Sequence, residues 1–453
     1  MVGCARKINT SKFNSRLITC RNYKNYNPRK MIDELGDLDW SNVINNLNVN
    51  DAWDYMKAML LEIFNQHAPK IMKKVKGKPV PWLTSKVKEV MNERDRLPRK
   101  SRRSKNELDI SKYKQKRNEV NIALRRAKSS YHKDLIHEHS GNSNKLWKTL
   151  KSIYPIKSKE INQPRTLEFN GIRLNDSYAI ANAFASFFKN IIVSLKAKTI
   201  PLIDFVWKMP TNISKRTDSI FKFHPVTSSE VECLLKAIKK SKATGIDDLP
   251  PRLLKDSAPI ISVPLTHIIN MSLGSGVFPR EWKSAKIMPI HKTGSMSSFD
   301  NYRPISILPV ISKIAEKIVH KQLIHYLGEN KLLSPLQFGF QQGLSTELAA
   351  TKLLDDIRYV DGGCMVGATF IDLGKAFDTI SHPKLLAKLP QYGIRDEEHS
   401  WFIDYLFHRT ARVSFDGCIS DMQPIVTGVP HAGINPWATI VCYLLQRHCR
   451  CHR

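Results

Sequence analysis

A single aspartate stands inside an apolar run in the stretch ATFIDLGKAFD, residues 368–378. The run predicts a β-strand, and its alternation puts Asp372 on one face and Leu373 on the other. A buried carboxylate without a partner is unfavourable, so it takes up a proton or pairs with a cation. Two interpretations stay open. Asp372 caps a helix that starts near Lys375, which the spacing alone favours, or it binds a hard cation such as Mg²⁺.

The composition favours a partner that carries many negative charges. The 453 residues include 71 Lys and Arg against 41 Asp and Glu, a net charge of +30, and 42% of the residues are hydrophobic. This length and apolar content are enough for two or three domains. Nucleic acid is the first candidate partner. A basic protein of the membrane surface is the alternative, although no apolar run is long enough to span a membrane.

The cysteines and the start of the sequence predict the compartment. Eight cysteines are scattered along the chain, which fits neither a disulfide scaffold nor a regular zinc site and indicates a reducing environment. No apolar core of a signal peptide is present near the first residue. We therefore expect an intracellular protein of the cytoplasm and/or the nucleus that is not secreted.

The patterning predicts four regions. Residues 1–70 form an N-terminal connector, in which apolar residues recur at helical spacing. Residues 71–155 form a basic helical segment that binds nucleic acid, and residues 156–226 form a linker with a helix near 175–192. Residues 227–453 form the last domain. The helical stripe of the connector consists of Trp53, Met56, Leu60 and Phe64.

The basic segment predicts an amphipathic helix. Residues 71–130 hold 20 Lys or Arg against 6 Asp or Glu, a net charge of +14. The outer face of the helix is either simply solvated or follows phosphates, and the charge density favours a phosphate-tracking arm. The apolar stripe that defines the helix consists of Val120, Leu124, Ala127, Tyr131 and Leu135.

Local signals in the last domain predict an α+β fold, because helices and strands mix without a βαβ order. Thr227 and Glu230 have the spacing of a capping box, and we expect Gly245 to end that helix. Asp416–Gly417 predicts the turn of a β-hairpin. A helical run, a strand and a further helix are predicted over residues 252–273, 284–292 and 311–328.

Five motifs in a fixed order carry a family resemblance. They are KATGIDDLPPRLLK (242–255), PIHKTGSMSSFDNYRPISILP (289–309), QFGFQQGLST (337–346), FIDLGKAFD (370–378) and GVP (428–430). Together they resemble the reverse transcriptase of non-LTR retrotransposons of the LINE type, and most closely that of the Jockey-like elements of animals. Upstream, residues 81–100 and 145–155 are similar to the connector that these elements carry between endonuclease and polymerase.

The resemblance implies a function and a fold. The function is RNA-directed DNA polymerisation for the element. The fold is the right-handed polymerase fold, of which the chain holds the fingers and a partial palm after a basic helical extension. The implied partners are the element RNA as template, a DNA primer at the target site, dNTPs and a ribonucleoprotein, without a membrane. A non-catalytic RNA- or DNA-binding remnant is the rival function, and a basic chromatin protein ranks last because it gives no reason for the ordered motifs.

The resemblance also implies a catalytic centre. Asp372 would be the catalytic residue and would bind Mg²⁺ together with the carbonyl of Leu373, since nucleotide addition needs two divalent ions. Phe377 would occupy the space of a ribose 2′-hydroxyl and so select deoxynucleotides. An ordinary core aromatic at a helix start is the alternative interpretation of Phe377, and the two are compatible.

A second set of residues would hold the nucleotide and the template. By resemblance, Lys292 and Arg303 bind the incoming triphosphate, a task that suits an ammonium and a bidentate guanidinium. In so basic a chain, the alternative for Lys292 is mere surface charge. Gly428, Val429 and Pro430 would contact the template and the nucleotide.

Two departures from the family pattern bear on activity. The family's Gly-Val-Pro-Gln-Gly-Ser is replaced by GVPHAG at residues 428–433, and no Tyr/Phe-x-Asp-Asp follows Asp372. Asp247–Asp248 and Asp355–Asp356 both precede Asp372, in a predicted turn and a predicted helix, so neither replaces that motif. We expect a catalytically incomplete fragment, because two ions that share one carboxylate bind weakly and without fixed geometry.

Primer extension tests this expectation. With Mg²⁺, dNTPs and an RNA template, incorporation by the chain should equal that by the Asp372→Ala variant, because the ions need carboxylates from two strands to fix both reacting oxygens. Clear incorporation that disappears in the variant would show that Asp372 has a second carboxylate partner.

Overall fold

A computed structural model describes the fold over residues 16–75, 80–104, 107–153, 166–169, 171–190, 216–359, 367–370 and 377–429. Contacts divide the chain into two units. The first consists of Met1–Thr19 and Met72–Gln163, and the second of Cys20–Ile71 and Pro164–Arg453. The four regions expected from the sequence are a different division and stay a prediction.

The described residues form a mixture of helices and strands. The helices are α1 (Pro28–Gly36), α2 (Ser41–Ile44), α3 (Val49–His67), α4 (Ser85–Ser104), α5 (Glu107–His139), α6 (Ser143–Ile153), α7 (177–190), α8 (Ser228–Lys236), α9 (Pro251–Asp256), α10 (Ala258–Ser275), α11 (Val310–Glu329), α12 (Thr346–Arg358), α13 (His382–Leu386) and α14 (Asp396–Leu406). The strands are β1 (Arg16–Arg21), β2 (Lys70–Val75), β3 (Leu167–Phe169), β4 (Ile172–Leu174), β5 (Ser284–His291), β6 (Tyr302–Ile307), β7 (Arg409–Phe415), β8 (Cys418–Ile419) and β9 (Gln423–Ile425). Among these described helices, each is too short or too polar to span a membrane.

Helices α4, α5 and α6 make up most of the described part of the first unit. The predicted amphipathic helix is confirmed within α5, where its apolar stripe is buried or half-buried. Lys116 on α5 lies 2.7 Å from the carboxylate of Glu93 on α4. The ring of Trp82 lies 6.0 Å from that of Tyr131 and 5.5 Å from that of His132. An exposed ion pair and a ring cluster therefore attach the residues around α4 to α5.

The second unit contains a five-stranded sheet. Its order is β6-β5-β7-β8, and β9 also pairs with β7. β5 and β6 are antiparallel, whereas β5 and β7 are parallel. The predicted strand 284–292 is confirmed as β5, and the predicted hairpin is confirmed as β7 and β8. Asp416 and Gly417 in its turn both have positive φ, 46° and 90°, as a two-residue turn that matches the strand twist requires.

The helices of the second unit confirm most of the local signals and correct one. Thr227 and Glu230 make both hydrogen bonds of a capping box at the start of α8. That helix ends at Lys236, well before Gly245. Gly245 lies in a loop, where a Cβ would be 2.9 Å from the Pro309 Cα, so close packing and not helix termination accounts for this glycine. The predicted helical run 252–273 is confirmed and consists of α9 and α10, with Ser257 between them. Pro259 is the second residue of α10, where its missing N–H has no partner within the helix to lose.

Helix α3 belongs to the main core of the second unit. Its predicted apolar stripe, Trp53 to Phe64, is fully buried with residues of α10, α11 and α14. The ring of Trp53 lies 5.2 Å from that of Trp282, and its Nε1 donates to a Glu281 carboxylate oxygen 2.6 Å away. Lys57 forms an ion pair with the same carboxylate. The segment that begins at Cys20 therefore shares one core with the last domain.

A buried charged group lies at the start of β7. The guanidinium of Arg409 is fully buried, stacks 4.6 Å from the Tyr405 ring centre and donates to the Tyr405 carbonyl at 3.1 Å. The Tyr405 hydroxyl in turn donates to the buried Glu316 at 3.0 Å. Burial raises the pKa of Glu316, while Arg409 opposes that rise. Each of these charged groups depends on the other, because an uncompensated buried charge is strongly destabilising.

Candidate active site

The β5–β6 hairpin positions the two cations that the sequence singled out. Ile290 faces Arg303 across the hairpin, and the backbone N–H of Lys292 donates to the Asn301 carbonyl at 2.7 Å. Lys292 follows the last residue of β5, and its bond to Asn301 continues the antiparallel register by one pair. Alternation therefore predicts Lys292 on the face of Ile290 and Arg303. Both cations are exposed, and neither makes an ion pair within the described residues. Both residues thus lie near the tip of one hairpin, and their role at a triphosphate stays a prediction.

Asn301 explains why the loop between the two strands holds Lys292 in place. Its side-chain Nδ2 donates to the Ser295 carbonyl at 2.9 Å, while its own carbonyl accepts from Lys292. Gly294 has a φ of 86°, and a Cβ there would be 2.7 Å from Nδ2 of Asn301. The loop is therefore built around one asparagine that the sequence analysis did not single out, although it lies within the quoted NYRP stretch.

The segment Phe377–Asp378 docks on Gly428 and Val429. The N–H of Val429 donates to the Phe377 carbonyl at 2.9 Å, and the N–H of Gly428 donates to the Ile380 carbonyl at 2.8 Å. Gly428 has a φ of 78°, and a Cβ there would lie 2.7 Å from the Asp378 carbonyl oxygen. Two motifs that are distant in sequence therefore meet through their backbones.

This docking corrects one expectation. One interpretation of the sequence was a helix that starts near Lys375, but Phe377 and Asp378 form a turn, and α13 begins only at His382. The carbonyls of Phe377 and Ile380 accept from the residues of the GVP motif instead of from a following helical turn. Phe377 is half-buried, and its ring stands edge-on to that of Phe340, with 6.0 Å between the ring centres.

His382 fixes the same junction, and the sequence analysis missed it. Its Nε2 lies 2.6 Å from the Gly428 carbonyl oxygen in a buried position. Burial lowers the pKa of this imidazole, and the hydrogen bond to Gly428 opposes that change. A neutral ring with its proton on Nε2 donates to the carbonyl. No local pattern reveals such a contact, because its two ends are far apart in the chain.

The remaining expected site residues are Asp372, Leu373 and Pro430, and they lie outside the described residues. Within the described ranges, no group of three His, Cys, Asp or Glu side chains is arranged to hold a metal ion. The Mg²⁺ site and the roles of these three residues therefore stay a prediction.

A cavity of about 120 Å³ lies beside Asp378 and Gly428. The hairpin lines it with Tyr302, Pro304 and Ser306, which alternate with Arg303 along β6. The cavity therefore lies on the face of β6 opposite to the two cations. Its other walls are mostly apolar and come from α7, β7 and β9.

Asp247 of the KATGIDD motif is buried without a partner. Its side chain is 1% exposed, and neither carboxylate oxygen has a hydrogen-bond partner of good geometry among the described residues. Burial, followed by the nearby charge of Glu281, raises its pKa to about 7, while the N–H of Leu249 and the charge of Lys57 oppose this rise. The adjacent Asp248 is exposed and pairs with Lys70 at 2.8 Å.

Asp247 should make the stability of the chain depend on pH. The folded carboxyl holds its proton up to a pH of about 7, against an ordinary pKa of 3.8. The protonated carboxyl therefore contributes its full stabilisation at pH values below 3.8, the ordinary pKa. The free energy of unfolding then falls by a few kcal/mol as the pH rises through the folded pKa of about 7. Asp247→Asn should remove this slope and raise the melting temperature at pH 8 more than at pH 4. The matched Asp248→Asn variant should leave the slope unchanged, and equal slopes in both variants would contradict the assignment.

Gly428 should tolerate no side chain. Gly428→Ala meets the backbone of Asp378 and Phe377, whereas Gly417→Ala, at a φ of 90°, has no atom within 4 Å of its Cβ. Both variants are strained by a positive φ, but only the first has a clash, so it should lose about 1–3 kcal/mol more free energy of unfolding. Hydrogen exchange should show lost protection at the Val429 amide in that variant alone. Equal destabilisation of the two variants would argue against the docking.

Comparison with known proteins places this geometry in a family context. Residues 290–435 match the family described as "Reverse transcriptase (RNA-dependent DNA polymerase)". The chain is 36% identical over 220 residues to the "RNA-directed DNA polymerase from mobile element jockey" of Drosophila melanogaster. The matched stretch covers 46% of this chain and 23% of that protein. It is 26% identical over 367 residues to the "Probable RNA-directed DNA polymerase from transposon BS" of the same species. This second matched stretch covers 78% of this chain and 39% of that protein.

A third relative is the "RNA-directed DNA polymerase from mobile element jockey" of Drosophila funebris, to which the chain is 31% identical over 221 residues. The matched stretch covers 46% of this chain and 23% of that protein. The matched stretches thus span less than half the length of each of these relatives. The resemblance inferred from the motifs is confirmed: residues 290–435 carry the sequence of a reverse transcriptase domain, and the chain is similar to the RNA-directed DNA polymerases of jockey and other non-LTR mobile elements.

Proposed function

We propose that the chain supplies fingers and palm elements of an RNA-directed DNA polymerase of a non-LTR mobile element, in the right-handed polymerase fold. The observation that carries the proposal is the docking of Phe377–Asp378 on Gly428–Val429. This contact joins the segment that follows Asp372 in the sequence to the motif expected to touch template and nucleotide. A non-catalytic nucleic-acid-binding remnant is not favoured, because the relatives that the chain matches are RNA-directed DNA polymerases.

Lys292 and Arg303 bind the incoming triphosphate. They share one face of the hairpin, are exposed, and make no ion pair within the described residues, so both charges are available to an anion. The guanidinium offers two parallel N–H donors to a phosphate, and the ammonium adds a point charge. The loop around Asn301 fixes the Lys292 backbone, which limits the ordering needed when the nucleotide binds.

Phe377 and the GVP motif shape the nucleotide site. The Phe377 carbonyl is held by Val429, and its ring contacts Phe340, so the aromatic has a defined position from which to exclude a ribose 2′-hydroxyl. Gly428, Val429 and Pro430 contact the template and the nucleotide. His382 is a positioning residue, because it holds the Gly428 carbonyl and not the substrate.

Asp372 would be the catalytic residue, in a chain that we expect to be a catalytically incomplete fragment. Its carboxylate and the carbonyl of Leu373 are the hard oxygen ligands that would hold Mg²⁺. When bound, Mg²⁺ would neutralise charge at the phosphates and would make the primer 3′-hydroxyl more acidic. The residues of the chain contribute by holding the triphosphate and the template in a fixed relation to that hydroxyl.

The partners follow from the same proposal. They are the element RNA as template, a DNA primer at the target site, and dNTPs, within an intracellular ribonucleoprotein of the cytoplasm and/or the nucleus. The first unit contacts nucleic acid through phosphates, because residues 71–130 carry a net charge of +14 and the basic side chains of α5 lie outside its apolar stripe. Such binding weakens steeply as salt is added.

Nucleotide binding by the full chain tests the triphosphate site. With an RNA template and a DNA primer present, Arg303→Ala should weaken dNTP binding by roughly tenfold or more, the loss expected for charge-assisted hydrogen bonds. Arg303→Lys should lose less, because it keeps the charge but not the fork. Fluorescence titration with a labelled dNTP measures each affinity.

Arg173→Ala is the matched control, since Arg173 is an exposed arginine on β4 of the same unit. It removes the same charge and should leave dNTP affinity unchanged. Equal affinities in the Arg303→Ala and Arg173→Ala variants would remove Arg303 from the nucleotide site.

A further inference from the structure

Helix α6 of the first unit has a buried and an exposed side. Leu146, Leu150 and Ile153 are half-buried and Thr149 is buried, which defines the inner side. The Thr149 hydroxyl lies 2.8 Å from Nδ1 of His139, the last residue of α5. The Asn142 side chain accepts the Lys145 N–H at 3.1 Å at the start of α6. These contacts fix which side of the helix faces solvent.

The exposed side carries a tryptophan between lysines. Trp147 is 63% exposed, an unusual position for so large an apolar side chain. Asn144, Trp147, Lys148 and Lys151 are spaced i, i+3, i+4 and i+7, so they form one strip, which we call the Trp147 face. All four are exposed, α6 contains no acidic residue, and neither lysine has an ion-pair partner within the described residues.

A second tryptophan of the same unit shows the contrast. Trp82 is half-buried and contacts Tyr131 and His132, and Lys128 lies 5.5 Å from its ring centre. Its ring is therefore used within the unit, both by aromatic partners and by a cation. Trp147 has none of these contacts among the described residues, so its indole face is available to a partner.

We propose that the Trp147 face binds single-stranded nucleic acid, with one base stacked on the indole and neighbouring phosphates on Lys148 and Lys151. This rests on the proposed nucleic-acid binding of the first unit and adds the form of the strand. An indole next to lysines matches the two chemical groups of a polynucleotide, a flat base and an anionic phosphate. A duplex cannot use the indole in this way, because its bases are already paired and stacked.

Binding of short oligonucleotides to the full chain tests the proposal. Trp147→Ala should weaken binding of an unstructured single-stranded 12-mer by roughly five- to 150-fold, the effect of losing one stacked base. Binding of a 12-base-pair duplex should not change. The slope of log K against log [salt] should also stay the same, because no charge is removed. Trp147→Phe should retain most of the affinity, since it keeps an aromatic face.

Matched variants separate stacking from charge and from general surface loss. Leu108→Ala removes another exposed apolar side chain of this unit, 68% exposed on α5, and should have no effect. Lys148→Ala with Lys151→Ala should flatten the salt slope for single strands by about 0.7 for each phosphate that the lysines no longer neutralise. Parallel titrations with RNA and DNA 12-mers show whether the face prefers either sugar.

A photocrosslink supplies a local readout that other basic surfaces of the chain cannot imitate. A 12-mer with 5-iodouracil should crosslink to the peptide that contains Trp147, and this product should be absent from the Trp147→Ala variant. Thermal unfolding and circular dichroism should be unchanged in that variant, because the side chain is exposed. The Trp82→Ala variant, in contrast, should lower the melting temperature.

The outcomes distinguish this inference from the proposed function. If neither single strands nor duplexes bind in a salt-dependent way, the nucleic-acid role of the first unit fails. If both bind and Trp147→Ala changes neither, or changes both equally, the Trp147 face has no stacking role and the broader function stands. Crosslinks that never map to Trp147 would likewise overturn the stacking role. Trp147-dependent binding of an acidic peptide without such binding of single strands would identify a protein partner instead.

Discussion

The parallel pairing of β7 with β5 is the contact on which the second unit depends. It joins Ser284–Ile287 to Thr410–Val413 across a large separation in sequence. From β5 the chain continues directly to Lys292, and from β7 it continues through β9 to Gly428. One pair of strands therefore sets the relation between the basic hairpin and the GVP motif. The buried Arg409 guanidinium lies at the start of β7 and binds the Tyr405 carbonyl at the end of α14, so it links this strand to the helix before it.

Local signals were sufficient for much of the fold. The capping box at Thr227 and the Asp416–Gly417 turn were predictable because each depends on residues within a few positions of one another. The role of Gly245 was not predictable in this way. This glycine does not end α8, and it is required by the close approach of Pro309, which is distant in sequence.

The candidate site also has features that depend on local sequence and features that depend on the packing of distant segments. Lys292 and Arg303 were identified from motifs, and the register of a short hairpin is enough to bring them together. The contact of His382 with Gly428 and the burial of Asp247 could not be derived from sequence, since both arise only when remote segments pack. Asp247 and Asp248 illustrate why burial could not be predicted from sequence. They are adjacent residues of the same type, but Asp247 is buried and Asp248 is exposed.

Pro289 and Pro304 face each other across the β5–β6 hairpin. Hydrogen-bonded pairs recur at every second position, and the bond from Lys292 to Asn301 places this proline pair between two of them. The backbone nitrogen of each proline therefore points away from the partner strand of the hairpin. That of Pro304 faces the side of β6 that does not pair with β5, and Pro289 lies beyond Ile287, the last residue of β5 that pairs with β7. Neither position can donate to an added strand. The hairpin is thereby protected against edge-to-edge association, so a highly exposed basic tip can stay available to a nucleotide without also offering a template for aggregation.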